Sequence, residues 1–584
     1  MKETLQISEF IRSNYKYKEV VAILDTEFLE LRRLSNEYHQ ISFLWDYMNK
    51  YMKDMLTPLQ LERYRYAYYR KQSLLQMEVN RASRIIYNWD TRNKIDDWEF
   101  SNFNILTLYS NCPIYIPDYF KNRIILPLES FNETLNVLYQ KKWNRIVAEN
   151  GWESYAENSV RSITFQVSEA CNLRCTYCYQ IAKTPNRMSF DTAKKLIDFM
   201  LSDEETDYMH KPSTFGLVWD FIGGEPFMEP ELITKICHYI LQQMIKTEHR
   251  WLLTSRFSAS TNGTLHMTKP VQQILDTFGP YFSVGVTVDG NKELHDKCRI
   301  FEDGSGSYDL AIQAIKDLRQ RGNKIQSKVT ISDQNLPYLY DAIKHMIDIG
   351  YIDIHANCVF ENVWDETIHP QIYYQQLKKI ADYFLEKDLY NKVFLSIFRE
   401  DGIGHMDDSQ NKNFCGGNGA MLSVNYAGRL YPCVRFMESS LGNDVPPYSI
   451  GNVDEGLLST KEDRDRFNLL KSVTRKSQFS QECWDCPVNK GCAHCTAYNY
   501  QCFGTPNKRA TYICWMHKAE VLANWYYWTQ IRMKYPIPGL EWILHLPKED
   551  ALKIISQNEY DKIMNCQLKM LEISNNLDLK NRGE

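Results

Sequence analysis

No apolar run in this chain of 584 residues approaches the ~18–20 residues that cross a bilayer as a helix. A helical membrane protein is thereby excluded. A positive surplus is also missing: 68 Lys and Arg stand against 73 Asp and Glu, a net charge of -5. A general nucleic-acid binder needs a basic surface to meet phosphates, so neither nucleic acid nor membrane is an expected partner. The opening residues, MKETLQISEFIRSNYKYKEV, lack the basic-then-apolar order of a signal peptide. A cytoplasmic location is therefore expected. Residues 1–100 hold almost no glycine or proline and are rich in Tyr, Leu, Arg and Lys. Turns are correspondingly scarce there, and Leu59–Tyr87 reads as helix.

Cysteine breaks this ordinary pattern. There are 16, with three inside 171–178 and eight inside 415–514. In a reducing compartment such clusters mean metal or catalysis before they mean disulfides. The remaining cysteines read as packing residues: Cys112, Cys237, Cys298, Cys358 and Cys566. Cys237 shares a helical face with Ile233, Ile236 and Ile240.

Length implies more than one domain, since single cores stop growing near ~250–300 residues. Residues 103–128 hold short apolar runs broken by Asn111-Cys112-Pro113, Pro117 and Pro127, which read as short strands and turns. From Arg161 the pattern becomes alternating. Strand-like runs are Ile163–Val167, Leu217–Ile222, Arg256–Ser260, Phe282–Val288, Lys324–Ile331 and Ile352–Cys358. Helical stretches include Asp191–Leu201, Glu231–Ile245, Tyr308–Leu318 and Leu336–Ile349, with Asp191 and Asp309 placed to favour helix N-termini. Strand–helix alternation implies a parallel sheet with right-handed crossovers. The expected class is α/β: a partial six-unit (β/α) barrel of the TIM type, with chemistry at the C-terminal strand ends. Residues 405–520 lose the alternation, gain Gly and Cys, and read as a metal-held module.

The segment Cys171-Asn-Leu-Arg-Cys175-Thr-Tyr177-Cys178 follows the first expected strand. Three thiolates at this spacing wrap three corners of a cubic iron–sulfur cluster and leave one iron without a protein ligand. The loop resembles the signature of the radical S-adenosylmethionine (SAM) superfamily. The resemblance implies that SAM chelates the open iron and is cleaved to a 5′-deoxyadenosyl radical that abstracts hydrogen from substrate. It also sets Tyr177 near the adenine. A zinc site fits poorly, because zinc usually takes four ligands from two separated pairs.

The other strand ends agree. Gly223-Gly224-Glu225-Pro226 resembles the family motif that contacts the SAM amino group. Ser260-Thr-Asn262-Gly263 resembles the polar edge that meets ribose or carboxylate. Asp289-Gly290, with His295, Asp296 and Arg299 beyond, resembles the region that shapes the SAM and substrate pockets in peptide-modifying members. Taken alone, Asp289 is equally a turn aspartate, and Arg299 is more ordinarily half of a surface ion pair.

The C-terminal third reads Cys415, Gly428, Cys433, then Cys483-x2-Cys486-x5-Cys492-x2-Cys495, Cys502 and Cys514. This resembles the SPASM domain, which carries two auxiliary 4Fe–4S clusters. The resemblance gives Cys415, Cys433 and Cys495 to the first of these, and Cys483, Cys486, Cys492 and Cys514 to the second. Two residues, against the usual three, separate Cys492 from Cys495, and no second cysteine soon follows Cys415. The first auxiliary cluster therefore has an open iron or recruits Cys502. Zinc spacing is the alternative for these pairs.

The expected organisation is an N-terminal extension at 1–150, a radical SAM core at 160–400, the auxiliary-cluster domain at 405–520 and a helical tail at 521–584. Leader-peptide recognition through an exposed strand edge is the role considered for the extension. The expected function is maturation of a ribosomally made precursor peptide, with a thioether cross-link as first choice of product. The expected cofactors are three 4Fe–4S clusters and SAM, and the expected electron donor is a flavodoxin or ferredoxin. A sulfatase-maturase-like, formylglycine-forming enzyme is the second reading, and a zinc-stabilised binding scaffold the reading from another class.

Overall fold

The computed structural model describes residues 40–93, 162–202 and 217–582, apart from 181–182, 324–325, 391, 401–403, 409–410, 412–414, 443, 538–539 and 541–544. Cys112, the short strands expected at 103–128 and most of the extension at 1–150 lie outside the described residues. The chain divides into two compact units, Met1–Ser154 with Gln242–Thr254, and Tyr155–Leu241 with Ser255–Glu584.

In the first unit the expected helix is α1 (Pro58–Asn93). Thr57 and Gln60 start it with a reciprocal cap: the Thr57 hydroxyl accepts from the Gln60 amide at 3.2 Å, and the Gln60 side chain accepts from the Thr57 amide at 3.1 Å. The same face then reaches residues 245–248. Gln60 donates to the Lys246 carbonyl at 2.9 Å, the Tyr64 hydroxyl to the Ile245 carbonyl at 2.9 Å, and Arg63 pairs with Glu248 at 3.1 Å. The Gln60 and Tyr64 side chains thus take up carbonyls at a helix end, which lack intrahelical donors.

The second unit begins with β1 (Ser162–Ser168), α2 (Phe190–Leu201) and β2 (Val218–Gly223). There follow α3 (Pro230–Lys246, whose last turn belongs to the first unit), β3 (Arg256–Thr261), α4 (Lys269–Phe278), β4 (Phe282–Val286), α5 (Lys292–Cys298) and α6 (Tyr308–Gln320). Next come β5 (Gln326–Ile331), α7 (Leu339–Asp348), β6 (Asp353–Cys358), α8 (His369–Glu386) and β7 (Phe394–Leu395). β1–β4 pair in parallel and in sequence order, as do β5–β7, so the barrel is open between β4 and β5. The elements expected for the barrel all appear, with ends shifted by a few residues. One helix is divided: Pro337 opens a separate turn at Leu336–Tyr338, and α7 begins after it.

Side-chain alternation explains the layering. Ile163, Phe165 and Val167 of β1, Trp219 and Phe221 of β2 and Phe257 of β3 are buried completely. Phe221 stacks on Phe165 at 5.8 Å and on Phe282 at 6.0 Å. Each fully buried aromatic of this kind contributes about 1.5–3 kcal/mol relative to exposure. Cys237 and Cys298 lie in this core, as expected, and Cys358 hydrogen-bonds with Tyr373 of α8. Cys566 is only half-buried, with its sulfur accepting from Gln530 at 3.4 Å.

Residues 415–457 add strands to the main sheet. β8 (Met421–Val424), β9 (Arg429–Tyr431), β10 (Gly451–Asn452) and β11 (Gly456–Leu457) extend it beyond β1. β8 runs parallel to β1, pairing Ser162 with Met421 and Phe165 with Val424. These strands have two to four residues, too few to produce a readable alternation. The helices α9 (Lys461–Ser472), α10 (Thr496–Phe503), α11 (Cys514–Lys534), α12 (Lys548–Ile554) and α13 (Gln557–Arg582) complete the unit. Among the described residues no helix is long and apolar enough to cross a membrane.

Where α11 meets α8, Glu520 accepts from the Tyr373 hydroxyl at 3.1 Å. Burial pushes its carboxyl from 4.5 to about 7, with Tyr373 and Arg399 opposing the shift. The folded state therefore resists ionisation. The penalty is absent below about pH 4.5 and complete above about pH 7, so this site loses stability as pH rises. Glu520→Gln is expected to stabilise the protein by up to about 3 kcal/mol at pH 8, at about 1.36 kcal/mol per pKa unit, and by little at pH 4. Thermal melting of both proteins across this pH range is the check.

Candidate active site

The three cysteines after β1 sit on a loop clamped from two sides. On one side the Arg174 amide donates to the Ile300 carbonyl at 2.7 Å and the Thr176 amide to the Cys298 carbonyl at 3.0 Å. On the other, Gly223 and Gly224 end β2 directly against the loop. The Gly224 amide donates to the Ser168 carbonyl and the Glu225 amide to the Ala170 carbonyl, both at 2.9 Å. A Cβ on Gly224 would lie 2.3 Å from the Ala170 oxygen and 2.7 Å from the Cys171 Cβ. Only glycine permits this approach. Cys171 and Cys175 lie within electrostatic reach of each other, as do Cys175 and Cys178. Burial raises the thiol pKa at Cys171 and Cys175, while Arg299 pulls the Cys175 value back.

Glu225 is 1% exposed and fully used. It accepts from the Thr261 hydroxyl at 2.6 Å, the Asn262 amide at 2.8 Å and the Phe227 amide at 3.0 Å. Its side chain thus ties the β2 end to the β3 end and leaves Pro226 to open the next turn. The Asn262 side chain donates to Asn172 at 2.8 Å and stands 4.0 Å from the Cys171 sulfur. Asn172 in turn donates to Thr264 at 2.8 Å. Ser260, on the opposite face of β3 from the buried Thr261, is exposed. Asp220 of β2 hydrogen-bonds with Ser258 of β3, and burial pushes its carboxyl up to about 6.

Asp289 has no exposed surface. One carboxylate oxygen accepts from the Tyr177 hydroxyl and, at 2.9 Å, from Arg299 Nε. The other oxygen has no partner among the described residues. Arg299 is 9% exposed, its guanidinium 5.7 Å from the Tyr177 ring centroid and 4.0 Å from the Cys175 sulfur. Arg299 therefore forms a buried pair rather than the surface pair that is its more ordinary fate. Next to it, His295 bonds with Ser307 at 3.0 Å, and Ser307 donates to the Arg299 carbonyl at 2.8 Å. Burial and the Arg299 charge push His295 down to about 4, so it is neutral.

A cavity of about 270 Å³ opens beside this loop, lined by Tyr177, Cys178, Tyr179, Ser332, Glu361 and Arg435 among others. Arg435 pairs with Glu361 at 2.9 Å and lies 4.9 Å from the Tyr179 ring centroid and 6.0 Å from that of Tyr498. Lys328 of β5 lies within electrostatic reach of Arg435 and Cys495. The sequence reading missed Arg435, Glu361 and Lys328. Lys328 carried a signal, a charged residue on alternate positions of an otherwise buried strand; Glu361 carried none.

Seven of the eight thiols within 415–514 fall into two groups by mutual electrostatic reach. Cys433 feels Cys415 and Cys495. Cys514 feels Cys492, Cys486 and Cys483, and burial lifts it to about 12. Cys483, Cys486, Cys492 and Cys514 all line one cavity of about 540 Å³. Cys502 stands apart, hydrogen-bonded with Tyr498. Beside Cys492, Arg509 Nη2 donates to the Cys492 sulfur at 2.8 Å and to the Ala493 carbonyl at 2.6 Å. Arg475 Nη1 donates to the Cys492 carbonyl at 2.7 Å. Burial and the neighbouring Arg509 hold Arg475 down to about 10. Two buried cations against thiols suit an anionic cluster, whose charge would offset them.

Residues 165–335 match the Radical SAM superfamily. The antilisterial bacteriocin subtilosin biosynthesis protein AlbA of Bacillus subtilis is 25% identical over 287 residues, 48% of this chain and 56% of that protein. A serine-type anaerobic sulfatase-maturating enzyme of Bacteroides thetaiotaomicron is 24% identical over 363 residues, 56% of this chain and 81% of that one. Among solved structures, native anSMEcpe with bound AdoMet and Cp18Cys peptide is 17% identical, covers 64% of this chain and 99% of its own, and gives a TM-score of 0.47.

Proposed function

We propose that this chain, which carries a radical SAM domain and is a radical SAM enzyme, modifies a cysteine-containing precursor peptide and closes a thioether cross-link. The observation that carries the reading is the gathering of ten cysteines into three sets, one on the loop after β1 and two in the C-terminal segment. Cys171, Cys175 and Cys178 would hold the first 4Fe–4S cluster. SAM would lie along Gly223–Pro226, Ser260, Asn262 and the Tyr177–Asp289–Arg299 group. The buried, unpartnered Asp289 oxygen favours a polar ligand there. Cys415, Cys433 and Cys495 would hold the first auxiliary cluster, and Cys483, Cys486, Cys492 and Cys514 the second. When bound, the first cluster and SAM supply a 5′-deoxyadenosyl radical.

The chain's own residues then bind, orient and exclude water. Glu225 fixes the spacing of the β2 and β3 ends. The Asp289–Arg299 pair fixes Tyr177. Held by Cys415, Cys433 and Cys495 alone, the first auxiliary cluster would keep one iron free for substrate sulfur, since iron favours soft ligands. Similarity to AlbA supports a peptide substrate. Similarity to sulfatase-maturating enzymes supports the second reading, oxidation of Cys or Ser to formylglycine, on the same residues.

The test is anaerobic incubation with SAM, a reductant and cysteine-containing peptides, followed by mass spectrometry. A thioether is expected: two hydrogens lost, sulfur retained and the thiol no longer alkylated. A hydrazide-reactive aldehyde at the Cys or Ser position would transfer the assignment to formylglycine formation. An electron donor such as flavodoxin or ferredoxin would replace the chemical reductant.

A further inference from the structure

Each of the three cysteine sets has an arginine against it, and the second auxiliary set has two, Arg509 on the Cys492 sulfur and Arg475 on the Cys492 carbonyl. Arg299 stands 4.0 Å from the Cys175 sulfur and pairs with Asp289 at 2.9 Å. Arg435 lies beside the first auxiliary set and pairs with Glu361 at 2.9 Å. Both positive charges are thereby largely cancelled where they stand. Arg509 differs. It is 7% exposed, touches the Cys492 sulfur at 2.8 Å, and packs its guanidinium 4.8 Å from the Phe479 ring centroid. Its other partners are the Cys492 and Ala493 carbonyls. No carboxylate pairs with it among the described residues, and its Nη1 has no partner there. Of the carboxylates lining the same cavity, Glu366, Glu482 and Asp485 are exposed, where water and salt screen them, and the half-buried Asp550 is taken up by Lys518 at 2.7 Å.

We propose that Arg509 sets the reduction potential of the cluster held by Cys483, Cys486, Cys492 and Cys514, raising it through its bond to the Cys492 sulfur. The inference rests on the ligand assignment proposed above. The physics is direct. Reduction adds negative charge to a cluster, and cluster potentials follow local charge, hydrogen bonds to sulfur and solvent exposure. An uncancelled cation donating to a ligand sulfur stabilises the reduced form and raises the potential. At the other two sets the arginine's own carboxylate partner, Asp289 or Glu361, removes most of that arginine's effect. Arg509 is thus a positioning and tuning residue, with no contact to substrate required.

The experiment is a redox titration followed by electron paramagnetic resonance on the reconstituted full chain. Signals are assigned with the Cys171/Cys175/Cys178→Ala and Cys415/Cys433/Cys495→Ala variants. In Arg509→Gln, the second auxiliary signal is expected to move to more negative potential. The reduced-to-oxidised ratio at fixed potential falls about tenfold, which for one electron is about 59 mV. The other two signals stay in place. Arg509→Lys keeps the charge and is expected to retain most of the original potential. An unmoved second auxiliary signal in Arg509→Gln, or equal shifts in Arg509→Gln and Arg509→Lys, overturns the proposal while leaving the cluster assignment intact. Iron absent from this set in the unmodified protein overturns both.

Discussion

Replacing Cys171, Cys175 and Cys178 together by alanine is expected to remove about four of about twelve irons and to abolish 5′-deoxyadenosine formation. The thiols are the ligands, and nothing else on this loop replaces them. Asn172, Arg174 and Thr176 already have partners in Thr264, the Ile300 carbonyl and the Cys298 carbonyl. Those backbone clamps do not use sulfur, so the loop keeps its path and the variant is expected to fold. Iron and sulfide counts, nucleoside analysis and a melting curve on the same sample separate lost chemistry from lost structure. Deoxyadenosine from the triple variant, or zinc in place of iron in the unmodified protein, would remove the central claim.

Arg299→Met is expected to cost about 3–5 kcal/mol, because it strands a buried carboxylate. Asp289 has no exposed surface, and one of its oxygens already lacks a partner. Losing Arg299 leaves only the Tyr177 hydroxyl and no positive charge. The double variant Arg299→Met/Asp289→Leu is expected to recover most of that stability, since replacing a buried pair by apolar groups is often neutral. It is not expected to recover SAM binding, because Tyr177 then loses the acceptor that holds it. Urea unfolding of the two variants, with SAM affinity measured alongside, tests both statements. A double variant as unstable as the single would assign the cost to packing rather than charge.

Much of this was legible in the sequence, for identifiable reasons. Strands β1–β4 and β6 each bury most of at least one face, β1 nearly all of its residues, so they read as short apolar or alternating runs between helical stretches. The cysteine loop, the glycine pair and the Thr261-Asn262-Gly263 edge are local patterns at strand ends, and a parallel fold brings strand ends together. The residues that were not legible act across the chain. Arg435 meets Tyr179, far away in sequence, and Glu361 has no spacing that marks it. Arg299 is expected near SAM only through the resemblance; taken alone it reads as a surface ion pair, because sequence does not show burial. The strands β8–β11 were missed because two to four residues carry no period.

The pairing of β8 with β1 has a consequence for synthesis. Ser162–Phe165 leave the ribosome long before Met421–Val424, their partners on that side of the sheet. At about 5–20 residues per second, the β1 edge waits on the order of tens of seconds for its neighbour. An unpaired, apolar edge is an invitation to pair with another chain. Shortened forms that stop after the barrel would carry that open edge permanently and are expected to accumulate in inclusion bodies. Holdase chaperones and slow translation are correspondingly the conditions under which the full chain should be recovered in quantity.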